Sequence, residues 1–298
     1  MNTFGRRCFA LLMTLALVAI ALVPASTNAQ GNATLVNIRA AHHADGFDRV
    51  VFDFANNMLP VSYSIQYVDR LVGCGSGLAI PVSGNAILQV SFTSAQAHDD
   101  NGHGFVPNRL GFAQTWNAYG TVAACDFEGH LTYGIVLARR VAGSSHFTLL
   151  NPARVVVDIP TPFQTMVVKD YFINQTNVTT GQPPLAKAVS RRVIPPAVAT
   201  GALQRLFAYP SKDELANGLM FVNSDASGFT NLRIDSGIAR MQLTGGCSSG
   251  GSTITIAQEI IPTLQQFSSV KYVKIYDPEG NTEQPDGNVN SIPACLEP

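Results

Sequence analysis

Short segments in which apolar and polar residues alternate fill the chain from residue 48 to residue 159, and they limit this half to β-structure. Residues Ser62–Val68 alternate with a period of two, which is typical of a strand with one buried face. Further segments are rich in β-branched and aromatic residues: 48–54, 86–92, 131–137 and 154–159. Gly, Pro, Asn and Asp residues separate them. This spacing predicts an all-β sandwich or barrel, and we expect a sandwich over residues 34–160.

Beyond Pro160 the pattern becomes a mixture of strands and helices. Strands are predicted at 166–173, 187–194, 230–234, 238–243 and 272–276. Asp235-Ser236-Gly237 has the composition of a hairpin turn between the third and fourth of them. A helix is expected to begin at Pro195-Pro196, because proline fits the first turn of a helix. Its apolar face carries Val198, Ala202, Leu206 and Tyr209.

Two more helices follow from local signals. Ser211 and Glu214 form a capping-box pattern that opens a short helix. Ser252 is expected to cap a longer helix, in which Pro262 predicts a kink. The predicted apolar stripe of that helix is Ile254, Ala257, Ile261, Leu264 and Phe267. Together these elements predict an α/β domain over residues 166–298, with a mixed sheet and two main helices.

The first thirty residues have the features of a signal peptide. Arg6 and Arg7 form a positive region, and an apolar run of about fifteen residues follows, which is shorter than the roughly 20 that a membrane-spanning helix needs. Small residues at the two positions that a signal peptidase reads predict cleavage after Ala29, so residues 1–29 are interpreted as the signal peptide. The alternative is an uncleaved anchor helix. No later segment is apolar enough to span a membrane, so we expect a secreted, soluble protein.

The cysteine content agrees with export. Apart from Cys8 in the signal segment, the five cysteines include Cys74, Cys125, Cys247 and Cys295, and an even number in an oxidising compartment predicts two disulfides. Only the pairs Cys74–Cys125 and Cys247–Cys295 keep each bridge within one predicted domain. Each bridge would close a loop of about fifty residues and contribute about 3–4 kcal/mol. Free buried thiols are the alternative.

The charge of the chain argues against some classes of partner. Removing Arg6 and Arg7 leaves 17 basic residues against 20 acidic ones, because the signal segment holds two of the 19 basic residues and no acidic residue. A net charge of −3 gives no basic surface for nucleic acid or for anionic lipid. We therefore expect neither nucleic-acid binding nor, once the signal segment is removed, a stable membrane span.

Catalytic and metal-binding patterns are weak. Gly246 to Gly250 fits the Gly-x-Ser-x-Gly motif of serine hydrolases with Ser248 as nucleophile, yet every histidine lies at or before His146 and none follows the serine, as that enzyme class requires. The polar stretch from His98 to His103 has ligand-type residues without a metal-site spacing, and a solvated loop is expected there. We predict no enzymatic activity, no metal and no cofactor.

Aromatic residues offer one possible ligand face. Tyr63, Tyr67, Trp116, Tyr119 and Tyr133 could form a solvent-facing stacking surface for a sugar or a peptide if their strands place them outward. The competing interpretation places them in the core, where strand aromatics usually lie.

Two stretches resemble known bacterial families. Residues 45–53 (DGFDRVVFD), the strand from Tyr63 to Tyr67, residues 126–129 (DFEG) followed by Gly134, and residues 154–158 (RVVVD) resemble the AMIN-like domain. The resemblance covers about 125 residues. It implies a β-sandwich that targets envelope proteins to peptidoglycan or to other envelope sites, and it supplies no catalytic residues.

The second half resembles the GerMN domain of sporulation and germination proteins. The matching pieces are Tyr171-Phe172, residues 192–207, Pro210 with the 214–218 turn, and residues 235–239, 250–267 and 270–275. The resemblance implies an α/β structural or interaction module. Cys247 and Cys295 depart from the family pattern, and so does the presence of a single copy.

These observations lead to one functional hypothesis and its rivals. We expect a non-enzymatic, exported envelope protein whose first domain binds or targets and whose second domain mediates protein assembly, with peptidoglycan or envelope proteins as partners. The alternatives are a regulator or partner of a peptidoglycan amidase and a serine hydrolase that uses Ser248. A carrier of a small ligand is a third, weaker class.

Overall fold

The computed structural model describes residues 31–298, so the predicted signal peptide and its cleavage site after Ala29 lie outside the described residues. No helix within residues 31–298 is both long enough and apolar enough to cross a membrane.

The first half is built from twelve strands. They are β1 (Ala33–His43), β2 (Phe47–Phe54), β3 (Ser62–Val68), β4 (Leu71–Val72), β5 (Ala79–Ile80), β6 (Ala86–Thr93), β7 (Ala95–Gln96), β8 (Arg109–Gly111), β9 (Ala118–Phe127), β10 (His130–Leu137), β11 (Ser145–Leu149) and β12 (Arg154–Pro160). Two five-stranded sheets have the orders β11-β12-β2-β1-β7 and β3-β6-β10-β9-β8, and β4 pairs with β5 alone. The predicted all-β sandwich is confirmed.

Period-two alternation places the sandwich core between the two sheets. On β10 the side chains of Leu131, Tyr133 and Ile135 all point into it and are buried. Phe52 from the first sheet meets Phe92 from the second edge to face, with ring centroids 5.2 Å apart. Burying each of these rings contributes about 1.5–3 kcal/mol.

The second half mixes strands and helices. Its elements are β13 (Met166–Asn174), α1 (Gln175–Thr180), β14 (Ala186–Val193), α2 (Val198–Leu206), α3 (Lys212–Ala216), β15 (Leu219–Met220), β16 (Ala226–Asp235), β17 (Ile238–Gly245), α4 (Ala257–Gln265) and β18 (Tyr272–Tyr276). One sheet has the order β14-β13-β15, and the other has the order β16-β17-β18 with β17 and β18 parallel. Together with α2 and α4, they confirm the predicted α/β class.

Helix α4 differs from the prediction at its start and along its buried face. It begins at Ala257, and the Ser252 hydroxyl accepts a hydrogen bond from the Ile254 amide (3.0 Å) in the preceding loop, so Ser252 is not its cap. Ile260 is fully buried whereas Ile261 is only partly buried. The predicted stripe was therefore wrong by one residue at this point, although Pro262 does lie inside the helix.

A polar stripe on α4 explains why its buried face differs from the predicted one. Glu259 accepts from the backbone N–H of Ile173 (3.1 Å), and Thr263 accepts from that of Tyr171 (3.2 Å). Gln266, just past the helix, accepts from the N–H of Lys169 (2.7 Å). The three side chains follow helical spacing, so the helix takes the place of a neighbouring strand along the side of β13 opposite β14, where β15 pairs only with Ile173 and Asn174.

Both predicted disulfides are present. Cys74 pairs with Cys125 across a sequence separation of 51 residues, and Cys247 pairs with Cys295 across 48. The second bridge fixes the C-terminal tail, whose Cys295 carbonyl also accepts a hydrogen bond from the Ser249 amide (2.7 Å).

Candidate functional site

The junction between the two domains is organised by one buried arginine. Arg205 on α2 is 1% exposed and enters the sandwich loop at residues 112–118. Its guanidinium donates to the backbone carbonyls of Phe112 (2.8 Å) and Thr115 in the sandwich. Its Nε donates to the backbone carbonyl of Arg192 in the second domain (3.0 Å). The same group lies 4.1 Å from the centre of the Tyr119 ring. Backbone carbonyls and an aromatic face therefore replace the water that this cation loses.

The loop that receives Arg205 is held by a buried carboxylate. Asp48 on β2 is 0% exposed and accepts from the backbone N–H groups of Trp116 (3.0 Å), Asn117 (2.6 Å) and Ala118 (2.9 Å). Because Asp48 uses the N–H groups of this segment, the nearby carbonyls are free to face the arginine. Asp48 thus positions the loop, a role that the sequence alone did not reveal.

A second group of charges lies behind the junction in the α/β domain. Arg191 forms a bidentate ion pair with Glu214 of α3, whereas its Nε lies 3.9 Å from Asp170, beyond hydrogen-bond distance. Burial raises the pKa of Asp170 to about 7, against the opposing charges of Arg191 and Arg205. Burial also lowers the pKa of Arg205 to about 10, although the nearby Tyr119 acts in the opposite direction.

The backbones of the two domains also touch at the junction. Gly111 on β8 donates its N–H to the Pro210 carbonyl (3.0 Å). A Cβ at Gly111 would overlap the carbonyl oxygen of Tyr209, a residue with a left-handed φ of 75°. The close approach of Gly111 to residues 209–210 adds to the Arg205 contacts between the domains. Residues 32–298 accordingly form one compact unit.

The grooves that border the junction include three lined by both domains. One, with a volume of about 490 Å³, lies between residues 81–85 of the sandwich and α2 with β16 of the α/β domain; we call it the neutral groove. A second of about 490 Å³ separates β1 from α3, and a third of about 540 Å³ runs beside β14. The second and third share Ala113, Gln114 and Glu214.

The predicted aromatic ligand face is not formed. Tyr133 is 2% exposed because β10 turns it into the sandwich core, and Tyr119 is 2% exposed because it faces the junction, where Arg205 packs on its ring. Tyr63 and Tyr67 are half-buried and pack against the sandwich core. Their hydroxyls bind His146 Nδ1 (3.1 Å) and the Val141 carbonyl (3.0 Å). The alternation of Tyr133 with Leu131 and Ile135 was the signal that pointed to the core.

Trp116, the remaining member of that set, belongs to the junction. Its ring stacks on His42 with centroids 3.8 Å apart, and the Arg192 guanidinium lies 5.2 Å from its centre. It therefore contacts both domains at the junction, where Tyr119 also lies.

Ser248 does not occupy a nucleophile elbow. Strand β17 ends at Gly245 and α4 begins at Ala257, so a loop separates the serine from the helix. The Ser248 hydroxyl accepts from the Gly250 amide (3.1 Å), and its own amide donates to the Ser224 carbonyl (2.9 Å). These contacts are those of a turn residue.

The histidine-containing stretch from His98 to His103 is a loop whose side chains form local pairs. His98 binds Asp126 (2.8 Å) and His103 binds Asp99 (3.2 Å). Backbone and side-chain hydrogen bonds from His103 and Asn101 lower the pKa of Asp99, with burial opposing them. Within residues 31–298, no group of three or more His, Cys, Asp or Glu side chains is placed to hold a metal ion.

Comparison with known families gives two matches along the chain. The AMIN-like domain model matches residues 33–161, and the Germane model, described as sporulation and spore germination, matches residues 169–283. Searches of curated proteins and of solved structures found no significant match. The two families indicate a protein of the cell envelope or of sporulation and germination, and the AMIN-like domain and disulfides fit an extracytoplasmic location.

Proposed function

We propose that this chain, an AMIN-like domain followed by a Germane domain, is a non-enzymatic binding and assembly module of the bacterial cell envelope. In this proposal the AMIN-like domain localises the protein by binding peptidoglycan or another envelope component. The Germane domain contacts a protein partner. The signal segment directs export, and the two disulfides suit the oxidising compartment that the protein then reaches.

The observation that carries the proposal is the Arg205 junction. A guanidinium with 1% exposure and acceptors in both domains loses its hydrogen bonds to the sandwich carbonyls and its ring contact with Tyr119 when the domains separate, and these contacts oppose separation. Such a junction suits a protein that holds two bound components in a fixed arrangement. The turn contacts of Ser248 support a role other than hydrolysis.

The junction also decides how the proposal is tested. A truncation would remove the carbonyls that Arg205 needs, so the chain from residue 30 to residue 298 is used intact. We expect it to sediment with insoluble peptidoglycan and to remain in solution with cellulose, the control polymer.

Hydrogen exchange with soluble peptidoglycan fragments then locates the contact. We expect protection to fall within residues 33–161, the matched AMIN-like region. Failure to sediment, or protection confined to residues 169–283, would contradict the proposed division of roles.

A further inference from the structure

The neutral groove is formed by both domains together. The sandwich contributes Ser83 and Asn85, and the α/β domain contributes residues of α2, β16 and β17. The Gln204 side chain donates to Asn85 Oδ1 (3.1 Å) and so links the two walls. An added Cβ at Gly228 would lie 3.3 Å from Ser83 Oγ, which shows how closely the walls approach there. Neither domain provides this groove alone.

The lining of the groove is polar and uncharged. None of the residues that line it is Asp, Glu, Lys, Arg or His. Hydroxyl and amide groups supply the polar atoms, on side chains that include Ser83, Asn85, Thr200, Gln204, Thr230 and Thr244. The hydroxyls of Thr200, Thr230 and Thr244 make no hydrogen bond to any other residue in 31–298, so they can bind a ligand. A charged ligand would find no counter-charge among these residues.

Apolar groups lie among the hydroxyls and amides. Val82, Phe229 and Leu232 also line the groove, and Phe229 is partly buried against the α/β core, with its ring 5.7 Å from that of Phe207. Apolar side chains with neighbouring neutral donors and acceptors match a sugar, which presents C–H faces as well as hydroxyl groups. The volume of about 490 Å³ lies within the range of about 300–1,000 Å³ found for small-molecule sites.

An added peptide strand fits this groove less well. β16 is an edge strand, and its ladder with β17 is interrupted between Thr230 and Arg233, where Asn231 has a φ of 56°. A bulge of this kind disturbs the regular row of backbone groups with which an added strand would pair. Side-chain recognition therefore remains the main source of binding.

We propose that the neutral groove binds an uncharged saccharide chain, with hydroxyl and amide groups of both domains on its polar edges and the apolar side chains of the groove against a sugar face. The proposal rests on the proposed function in one respect, because it names a ligand class for a binding module. It places that ligand at the domain junction, away from any surface of the AMIN-like domain alone.

The test is an NMR titration of the intact chain, residues 30–298, with the neutral saccharides chitotetraose and maltotetraose. We expect amide shifts at Thr200, Gln204 and Thr230 with at least one saccharide, and a dissociation constant of about 1 mM or tighter. The affinity should be the same in low and high salt, because no ion pair contributes.

Two isosteric substitutions test the contacts. Thr200→Val and Thr230→Val each remove a hydroxyl and keep the side-chain shape, and each should weaken binding about fivefold. Thr148→Val on β11 is the matched control, since Thr148 is exposed and lies outside the groove, and it should leave binding unchanged.

The outcomes separate this proposal from the proposed function. Absence of shifts with both saccharides up to about 10 mM would overturn the groove proposal, as would shifts located elsewhere. Binding that weakens with salt, or binding only of a neutral peptide such as a Ser/Gly hexamer, would also overturn it. If peptidoglycan sedimentation persists in that case, only the groove proposal fails.

Discussion

Replacing Arg205 by methionine is the sharpest test of the domain junction. Methionine retains an unbranched stem, so the change removes the guanidinium contacts and leaves only a small cavity. The lost partners include the carbonyls of Phe112 and Thr115 in the sandwich and of Arg192 in the α/β domain.

The expected loss of stability is large. Hydrogen bonds from a charged donor contribute about 1.5–3 kcal/mol each, while burying the guanidinium costs several kcal/mol in the wild-type protein. The three carbonyls left unpaired cost about 1–3 kcal/mol each, and the desolvation cost of the guanidinium, which the variant no longer has, offsets part of this, so the free energy of unfolding should fall by about 3–5 kcal/mol. With an m-value of about 3 kcal/mol/M, the urea midpoint should fall by about 1–2 M.

The assay is urea unfolding followed by tryptophan fluorescence, because the single Trp116 lies in the loop that receives Arg205. The control is Arg154→Met, which removes an arginine whose Nε donates to the neighbouring Pro152 carbonyl (3.1 Å). The control should change stability by less than about 1 kcal/mol. If the two variants unfold at the same urea concentration, Arg205 does not couple the domains.

Three further changes test other parts of the molecule. The pKa of Asp170 is about 7 in the folded state against an ordinary 3.8, so the folded state holds this proton more tightly than the unfolded state does. The stability that this protonation contributes is complete below about pH 4 and is lost as the pH rises through 7. The resulting fall in stability between about pH 4 and pH 7 is at most about 4 kcal/mol in the wild-type protein, and Asp170→Asn should reduce it. The same pH profile of thermal unfolding in variant and wild type would contradict this. Gly111→Ala should destabilise the protein by about 3 kcal/mol because its Cβ meets the Tyr209 carbonyl, whereas Gly75→Ala, with no atom within 4 Å, should change stability by less than about 0.5 kcal/mol in calorimetry. Replacing Cys247 and Cys295 together by serine should lower the free energy of unfolding by about 4 kcal/mol and expose the C-terminal tail to protease; equal cleavage of the variant and the wild-type protein would show that this disulfide does not fix the tail.

Local patterns were sufficient for most elements. The hairpin between β16 and β17 turns at Ser236 and Gly237, both with positive φ, as its composition predicts. The capping box of Ser211 and Glu214 is present at the start of α3. The two cysteine pairs followed from the domain boundary. In each case the determining residues lie close in sequence or depend on few alternatives.

Other features depend on contacts that no local pattern contains. Helix α1 has only six residues and no buried side chain, so it lacks an apolar stripe; Asn174 and Gly181 form its caps. The buried face of α4 is set by Glu259 and Thr263, which satisfy the edge of a strand about ninety residues away in the chain.

The junction was the least accessible of these features. Arg205 is a charged residue on a helix with an apparent apolar face, and its acceptors come from a loop of the other domain. The sequence likewise placed Asp48 in a family motif without revealing that its carboxylate holds that loop. The groove between residues 81–85 and β16 exists only because this junction sets the domain orientation.

The fixed junction has a consequence for avidity. When two binding domains are joined by a flexible linker, part of the binding free energy of the second contact is spent on aligning the domains. Here Arg205 and the close approach at Gly111 complete that alignment during folding. Two weak contacts, one on each domain, can then act as a single contact stronger than either by about 10²–10⁴, provided that their targets match the set geometry. Under the proposed function, envelope components in any other arrangement would be held by one contact only.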